Sequence, residues 1–296
     1  MGGARRRVPT PEQAEGYRAA EAPPSRSFRE AVVAPGLTVV AEVKHRSPSA
    51  GALAAALAPA ERAAIYQQGG AGAISVLTEP DFFEGSLEDL KAVRASVDLP
   101  VLRKDFVLTR EQVWESRAWG ADALLLVVAA LSDPELSVLL AVCEEAGLTA
   151  LVEVHTAEEA KRAVAVGSQV VGVNNRDLAT LEVDLETSLR LAPLLDGVPS
   201  LSESGIATPA DAALMAGAGY DGILVGESLM RAEDPASLLQ ALRQGGLGGH
   251  GGPEAAEGGT RQGSRRTPQE EEGLGGHGGP EAAEGGTRQG QEEAGA

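Results

Sequence analysis

The segment from Val39 to Gly51 joins an apolar run to groups that could transfer protons. It reads VVAEVKHRSPSAG, so Glu42 and Lys44 lie two positions apart where the apolar run ends. The stretch Leu37 to Val43 is rich in β-branched residues and too short for a typical helix, which predicts a strand. Residues two apart in a strand share a face. An acid and a base on one face could act in proton transfer, and a surface ion pair is the alternative interpretation.

Similar polar groups follow most of the other apolar segments of the chain. They are Glu42, Lys44, Lys104, Glu153, Asn174, Glu203 and Ser204. A single group of this kind would ordinarily be one half of an ion pair. Their joint occurrence at the ends of successive predicted strands instead predicts one shared catalytic pocket.

Lysine usage singles out two of these positions. The chain holds only four Lys against 21 Arg. Arg keeps its proton near neutrality, whereas burial can lower the pKa of a Lys until it acts as a proton donor. We therefore predict that Lys44 and Lys104 do chemistry and that Lys91 and Lys161, on predicted helix faces, are surface charges. Arg103, which alternation turns away from Lys104, is predicted to be structural.

The elements that must position these groups alternate regularly between Phe28 and Arg243. Strands are predicted at Leu37–Val43, Ala73–Leu77, Val101–Lys104, Ala123–Val127, Ala150–Val154, Val170–Asn174, Ser200–Glu203 and Gly222–Val225. Amphipathic helices follow them. Eight strand–helix units predict an α/β protein built as a (β/α)8 TIM barrel, in which the carboxyl ends of all strands meet at one mouth. A doubly wound sheet is the alternative, but no GxGxxG motif follows the first strand.

A phosphate site is predicted after the last two strands. Ser204 and Gly205 follow the seventh strand, and Gly226 and Glu227 follow the eighth and precede a short helix. Glycine amides and a helix amino terminus bind phosphate at this place in many barrels. Glu227 would contribute its backbone amide, with its side chain turned away.

The composition of the chain argues against some classes of binding partner. The net charge is −18, which disfavours nucleic acid and anionic membranes because the long-range field repels phosphates.

The single cysteine, Cys143, excludes an intrachain disulfide and fits a reducing cytoplasm. It lies in an apolar helix stripe and is predicted to be a packing residue. The longest apolar run, Ala123 to Leu131, is about half of what a membrane helix needs. A cytoplasmic protein with a phosphorylated small-molecule substrate is expected.

Three regions are predicted: an extension at 1–27, the barrel at 28–243 and a glycine-rich tail at 244–296. In the tail, GLGGHGGPEAAEGGTRQG at 246–263 recurs letter for letter at 273–290. So few apolar groups cannot offset the entropy of ordering, which predicts disorder. His250 and His277 could chelate a metal, but a solvated tail is the preferred interpretation and no metal site is predicted.

From about Phe28 to Arg243 the chain resembles the indole-3-glycerol phosphate synthase family of tryptophan biosynthesis. The matching segments are AEVKHRSPSAG from Ala41, LTEPDFFEGS from Leu77, PVLRKDF from Pro100, ALVEVHT from Ala150, GVNNRDLATLEVD from Gly172, SESGI from Ser202 and LVGESLM from Leu224. The resemblance implies closure of 1-(2-carboxyphenylamino)-1-deoxyribulose 5-phosphate to an indole with loss of CO₂ and water. It implies no cofactor, and it makes other enzymes of the tryptophan pathway candidate partners.

The resemblance also implies roles for the residues at the mouth. Lys104 would be the acid that activates the ketone for attack by the aniline ring, and Glu153 and Glu42 would handle the protons of dehydration. Lys44 would assist near the phosphate.

Further family positions are implied around these four residues. Asn174, Glu203 and Arg176 would form a supporting polar set. Arg176 and Ser47 would lie near the benzoate carboxylate, and Phe83 would stack on the aromatic ring or act as a hydrophobic plug.

Some features depart from the family or leave alternatives open. The family usually begins with a longer helical extension than 1–27 offers. His45 and His155 are interpreted as bystanders.

Two alternative functions stay open. Phosphoribosylanthranilate isomerase would share the barrel but needs a catalytic Cys and an Asp at strand ends, which Cys143 does not supply. A non-catalytic scaffold would be expected to have lost charged mouth groups, and all are present.

Overall fold

The computed structural model describes residues 8–19, 21–47, 51–52 and 57–248, with the backbone alone at 19, 47, 51, 52 and 248. The predicted disorder of the tail, its repeat and its two histidines lie outside the described residues.

Eight parallel strands form a closed barrel. They are β1 (Thr38–Val43), β4 (Ala73–Leu77), β5 (Val101–Lys104), β6 (Ala123–Val127), β7 (Thr149–Val154), β8 (Val170–Asn174), β9 (Ser200–Glu203) and β10 (Gly222–Val225). Their order around the barrel is β1-β10-β9-β8-β7-β6-β5-β4, so the first strand pairs with the last. The predicted (β/α)8 barrel is confirmed, and every strand begins within one residue of its predicted start.

Two very short strands were not predicted. β2 (Arg46–Ser47) and β3 (Gly51–Ala52) pair antiparallel in the connection after β1. Two residues per strand are too few for a periodicity in the sequence to indicate them.

The helices lie outside the barrel or at its ends. They are α1 (Pro11–Ala19), α2 (Phe28–Val32), α3 (Pro59–Gln68), α4 (Pro80–Phe83), α5 (Leu87–Ser96), α6 (Arg110–Ala118), α7 (Asp133–Glu145), α8 (Ala157–Ala165), α9 (Glu186–Leu191), α10 (Pro209–Gly217), α11 (Glu227–Arg231) and α12 (Pro235–Gly248). Several begin at a hydroxyl cap: Thr109, Thr156 and Thr208 each accept a hydrogen bond from the backbone N–H three residues on. In the described ranges, no helix is long and apolar enough to cross a bilayer.

The alternating elements were predicted to end at Arg243, but the last helix ends later. α12 continues five residues past Arg243, to Gly248. Gly246 lies so close to Leu37 that an added Cβ would overlap the leucine side chain, and Gly245 lies equally close to the Pro209 carbonyl. These glycines weaken helix propensity, but their close packing against the barrel outweighs it, so residues 244–248 belong to the folded part.

The core has two layers. One fills the space between strands and helices, and the other fills the barrel interior. Phe28 and Val32 of α2 pack with the interior residues and close the amino-terminal end of the barrel.

The inward-facing positions that form this interior continue along the strands to the mouth of the barrel. Along four strands an apolar inward residue is followed two positions later by an ionisable one: Val40 by Glu42, Leu102 by Lys104, Leu151 by Glu153 and Leu201 by Glu203. The alternation that fills the core therefore also aims the charged groups into the mouth.

Candidate active site

Lys104 lies at the centre of the mouth. Its Nζ donates to Glu153 Oε2 at 2.7 Å and pairs with Glu203 Oε2 at 3.0 Å. The three residues stand at or next to the ends of β5, β7 and β9, and their side chains are 11%, 4% and 1% exposed. The structure thus brings together three residues that the sequence predicted to share a pocket.

Glu42 and Lys44 form a second pair at the end of β1. Glu42 Oε1 accepts from Lys44 Nζ at 2.5 Å. An added Cβ on Gly226 would overlap Glu42 and would come within 2.8 Å of Lys44 Nζ. The β1 pair therefore lies directly against the predicted phosphate loop after β10, and only glycine leaves room for it.

Gly172 has a similar function that the sequence reasoning missed. It lies on β8 at an inward position, and an added Cβ would overlap Glu203 Oε1. Without a side chain at Gly172, Glu203 can extend in front of β8 and reach Lys104. A glycine inside an apolar strand was the available signal, because such a glycine often marks a close approach.

The carboxylates around Lys104 determine its proton affinity. Burial acts to lower the pKa of the ammonium, but the charges of Glu153, Glu203 and Glu42 outweigh it and raise the pKa above the ordinary value. The prediction of a lowered pKa was wrong, because the charges of three nearby acids exceed the effect of burial. Lys104 therefore carries its proton throughout the neutral range.

The two carboxylates that contact Lys104 differ in proton affinity. Burial acts to raise the pKa of Glu153, but Lys104 and His155 outweigh it, so the pKa lies below the usual value and the group is ionised, as predicted. Burial, reinforced by the charge of Glu153, raises the pKa of Glu203 to about 7 against the opposing effect of Lys104. Titratable neighbours whose pKa values diverge are typical of acid–base catalysis.

Asn174 supports Glu153 from the end of β8. Its Oδ1 accepts from the backbone N–H of Arg176 at 3.0 Å, and its side chain hydrogen-bonds Glu153. Because Oδ1 already accepts from Arg176, it is the Nδ2 group of Asn174 that donates to the Glu153 carboxylate. This hydrogen bond helps to keep Glu153 ionised.

The residues predicted to bind the aromatic end lie on loops around the mouth. Phe83 is half-buried at the end of α4, and α4 lies against β2, which contains Ser47. The side chain of Ser47 lies outside the described residues. Arg176 donates to Leu181 O at 2.9 Å, which closes the loop after β8 upon itself. The binding roles of these three residues stay predictions.

The two predicted phosphate loops are joined. Ser204 and Gly205 have φ of 66° and 84°, so the backbone makes a left-handed turn after β9. Ser228 Oγ donates to Ile206 O at 3.0 Å and ties α11 to this turn. Glu227 pairs with Arg231 at 3.1 Å along α11, which leaves its backbone amide as the group available to a ligand.

His155 is nearer to the site than predicted. Its Nε2 lies 3.5 Å from Glu153 Oε1, and its Nδ1 lies 3.3 Å from Glu159 Oε2. Burial acts to lower the pKa of His155, but these acids outweigh it and raise the pKa. The interpretation of His155 as a bystander in the chemistry stays a prediction. Its contact with Glu153 could have been expected from alternation, since residues 153 and 155 lie two positions apart and share a face. His45, by contrast, pairs with Asp89 and is largely exposed.

The other basic residues and the cysteine lie as predicted. Lys161 is 65% exposed, and Lys91 lies over the Trp119 ring. Arg103 is on the outer face of β5 within a buried network. Cys143 is buried on α7, where burial raises the pKa of its thiol to about 12. Over the described ranges, no group of three His, Cys, Asp or Glu is placed to hold a metal ion.

Comparisons with known proteins identify the family to which the chain is similar. A family model described as indole-3-glycerol phosphate synthase matches residues 4–242. Relatives of that name include proteins of Mycolicibacterium gilvum (strain PYR-GCK) and Mycolicibacterium smegmatis (strain ATCC 700084 / mc(2)155), each 54% identical and covering 76% of this chain and 83% of their own. The relative from Kineococcus radiotolerans is 56% identical over 70% of this chain and 76% of its own.

A solved structure shows the same fold at greater distance. Thiamine phosphate pyrophosphorylase from Pyrococcus furiosus matches with a TM-score of 0.56 and 20% identity, covering 76% of this chain and all of its own. At that identity the match bears on the fold alone.

Proposed function

The chain belongs to the indole-3-glycerol phosphate synthase family, and we propose that the mouth described above performs the reaction of that family with the residues placed there. The enzyme is a carboxy-lyase of tryptophan biosynthesis. It closes 1-(2-carboxyphenylamino)-1-deoxyribulose 5-phosphate to indole-3-glycerol phosphate, with release of CO₂ and water.

One observation carries the assignment of roles. Lys104, which is protonated throughout the neutral range, lies between Glu153 and Glu203, whose pKa values are shifted in opposite directions. A cation next to an ionised carboxylate supplies both a proton donor and a proton acceptor within one substrate's reach. Ring closure followed by dehydration needs both.

Lys104 acts in carbon–carbon bond formation. The ring carbon that bears the carboxylate attacks the ketone carbon, and the electron pair of the C=O bond moves to oxygen. The ammonium of Lys104 stabilises this developing charge and delivers a proton, which leaves a hydroxyl group. The carboxylate then departs as CO₂, and its bonding electrons restore the aromatic ring.

Glu153 and Glu42 act in dehydration. The hydroxyl leaves as water with a proton that Glu42 relays from its partner Lys44, and the neighbouring CH₂ gives a proton to Glu153 to complete the indole. Glu153 is ionised and therefore suited to accept that proton, with Asn174 holding its carboxylate. Glu42 is the second carboxylate that handles protons, and Glu203 holds Lys104 in place from the opposite side.

The substrate phosphate binds at the backbone amides of Ser204, Gly205, Gly226 and Glu227. Lys44 lies beside Gly226 and supplies a positive charge there. At the other end of the substrate, Phe83 stacks on the aromatic ring, and Ser47 and Arg176 bind the benzoate carboxylate. Binding at both ends of the substrate then positions its ketone group over Lys104.

Neither alternative function is favoured by an observation. Cys143, which an isomerase of the phosphoribosylanthranilate type would need as its catalytic thiol, is buried on α7 outside the barrel. A scaffold would have no use for two carboxylate–ammonium pairs at the mouth, Glu42 with Lys44 and Glu153 with Lys104.

The wider setting follows from the same assignment. The reaction involves no net oxidation and needs no cofactor. We place the enzyme in the cytoplasm, without nucleic acid or membrane partners, and consider other enzymes of the tryptophan pathway candidate partners. The division into an extension at 1–27, a barrel from 28 and a glycine-rich tail stands as a proposal, with the boundary between barrel and tail moved from 243 to 248 because α12 reaches Gly248.

The test is a direct assay of turnover. Purified full-length protein is mixed with 1-(2-carboxyphenylamino)-1-deoxyribulose 5-phosphate, and indole fluorescence and released CO₂ are followed together. We expect the two signals to rise in a 1:1 ratio, as the balanced reaction requires. Absence of both signals, or conversion of phosphoribosylanthranilate instead, would overturn the assignment.

A further inference from the structure

Asn175 is a buried residue that the mechanism above does not use. It follows Asn174 but faces the opposite side of the strand, between the barrel and α9, and is 2% exposed. Its carboxamide makes four hydrogen bonds. Oδ1 accepts from the backbone N–H and the hydroxyl of Ser188, and Nδ2 donates to Ser202 Oγ at 3.0 Å and to Ser204 O at 3.1 Å.

The bond to Ser204 O fixes the orientation of one peptide group. Ser204 has a φ of 66°, which a non-glycine residue rarely adopts, and the following Gly205 has a φ of 84°. Such a backbone persists only where its surroundings hold it. Asn175 does this from the outer face by binding the Ser204 carbonyl.

Peptide planarity transmits that orientation to the mouth. In a trans peptide the C=O and the following N–H point in opposite directions. The Ser204 carbonyl points outward to Asn175, so the N–H of Gly205 points inward, away from the helix layer. Throughout the part of the chain that the structure describes, no acceptor contacts this N–H. A donor that is fixed in direction and free of partners is suited to bind an anion.

We propose that Asn175 is the positioning residue of phosphate binding: it holds the Ser204–Gly205 peptide so that the Gly205 N–H faces the substrate phosphate. The proposal rests on the phosphate site assigned under the proposed function. Asn175 does not touch the substrate and acts only through the peptide. An amide suits this place because its oxygen accepts from Ser188 while its nitrogen donates to both Ser202 and Ser204. An ionised carboxylate has no donor, and a hydroxyl has only one.

The main test uses Asn175→Asp at pH 8, where the side chain keeps its shape but offers an acceptor in place of the Nδ2 donor. A charge-assisted hydrogen bond contributes enough that its loss weakens binding about tenfold or more. We expect KM to rise by at least about tenfold and kcat to fall by less than about threefold. The dissociation constant of inorganic phosphate, measured calorimetrically without turnover, should rise in parallel with KM.

Ser188→Ala is the matched control. Ser188 is fully buried in the same network, and this change removes its hydroxyl but leaves its backbone bond to Asn175 and the Ser204 carbonyl untouched. KM and phosphate affinity should stay within about threefold of wild type. A loss of affinity equal to that of Asn175→Asp would show a structural role of the network and overturn the proposal.

Two further measurements cover the remaining outcomes. If Asn175→Asp does not fold, Asn175→Ala is measured in the same way. In the unmodified protein, titration with inorganic phosphate should shift the amide resonance of Gly205, and an unmoved resonance would overturn the proposal whatever the variants do. Because phosphate binding is measured without turnover, a protein that binds phosphate through Gly205 but fails to form indole would contradict the proposed function alone.

Discussion

β5 carries two buried cations on opposite faces, Arg103 towards the helices and Lys104 towards the barrel interior. On the outer face, Arg103 reaches Glu115 Oε2 and Asp105 Oδ2, each at 3.0 Å, and also donates to two hydroxyls and a carbonyl. All three of its guanidinium nitrogens are engaged, and the network joins the strand to α6.

The inner face is less completely paired. Lys104 contacts Glu153 and Glu203, yet Glu203 Oε1 is buried and has no hydrogen-bond partner among the residues that the structure describes. The two carboxyl groups also have opposite pKa shifts. This cluster offers acceptors and transferable protons that nothing in the folded chain uses.

The contrast separates two uses of a buried charge. A fully hydrogen-bonded network holds elements together, and a cation with a fixed, multiple-donor group such as Arg suits it. A partly satisfied cluster adds little stability, but it can receive a substrate whose groups complete it. The two faces of β5 should therefore respond differently to substitution.

The largest effect is expected for Lys104→Arg. The charge is kept, but Arg does not release its proton near neutrality, so kcat should fall by at least about 10³. Circular dichroism and the melting temperature should stay close to wild type. Lys161→Arg, at an exposed site, is the control and should change nothing. Turnover within about tenfold of wild type would remove Lys104 from the role of acid.

On the outer face, Arg103→Met should act on stability instead. It leaves Glu115 and Asp105 buried without their cation, which should lower the free energy of unfolding by about 3 kcal/mol. Denaturant unfolding measures this loss, and turnover per folded molecule should stay within about threefold. Arg110→Met, at an exposed position of α6, is the control. A loss of turnover that exceeds the loss of folded protein would contradict the contrast between the faces.

Glu153→Gln tests the proton acceptor next to Lys104. Gln keeps the shape and the hydrogen-bonding reach but cannot take a proton, so kcat should fall by at least about 10² while KM changes by less than about tenfold. Steady-state kinetics separates the two constants. Glu158→Gln, 82% exposed, is the control. If KM alone responds, Glu153 positions the substrate and the base is Glu42 or Glu203.

The smallest effect is a gain in stability for Glu203→Gln. The pKa of Glu203 is about 7 in the folded state against an ordinary 4.5 when unfolded, so its ionisation opposes folding. The resulting loss of unfolding free energy is absent below about pH 4.5, grows between about pH 4.5 and 7, and is complete above about pH 7.

The variant should therefore be more stable than wild type at pH 8 by on the order of 1 kcal/mol, since the lost contact with Lys104 offsets part of the gain. The difference should vanish near pH 4.5. Melting temperatures at both pH values measure it, at about 2–4 °C per kcal/mol. A variant that is less stable at pH 8 would show that Glu203 holds the fold together in the way that Arg103 does.

The sequence was sufficient to predict the strands and most of the residues that line the mouth. Strand alternation is a local property, and in a closed barrel it brings Glu42, Lys104, Glu153 and Glu203 to the same end. The same rule places His155 on the face of Glu153, and the two side chains are in contact. The left-handed turn at Ser204 and the contacts of Asn175 are specific to the folded chain, and no residue pattern indicates them.

The direction of the pKa shift at Lys104 could not be predicted from the strand alone. It depends on a sum over three acids from β1, β7 and β9, whose distances from Lys104 exist only after folding. The spaces at Gly172 and Gly226 depend likewise on neighbours from other strands. The extension of α12 to Gly248 is decided by contacts with Leu37, more than 200 residues earlier in the chain.

The pairing of β1 with β10 has a consequence for synthesis on the ribosome. Thr38 aligns with Gly222 and Ala41 with Val225, so the seam joins the earliest and the latest strands to be translated. Until β10 has emerged, β1 presents an unpaired edge, which is a template for association between nascent chains. The contact between Glu42 and Gly226 is also missing until then. An amino-terminal fragment that lacks β10 therefore lacks both the partner of β1 and the loop against which Glu42 lies.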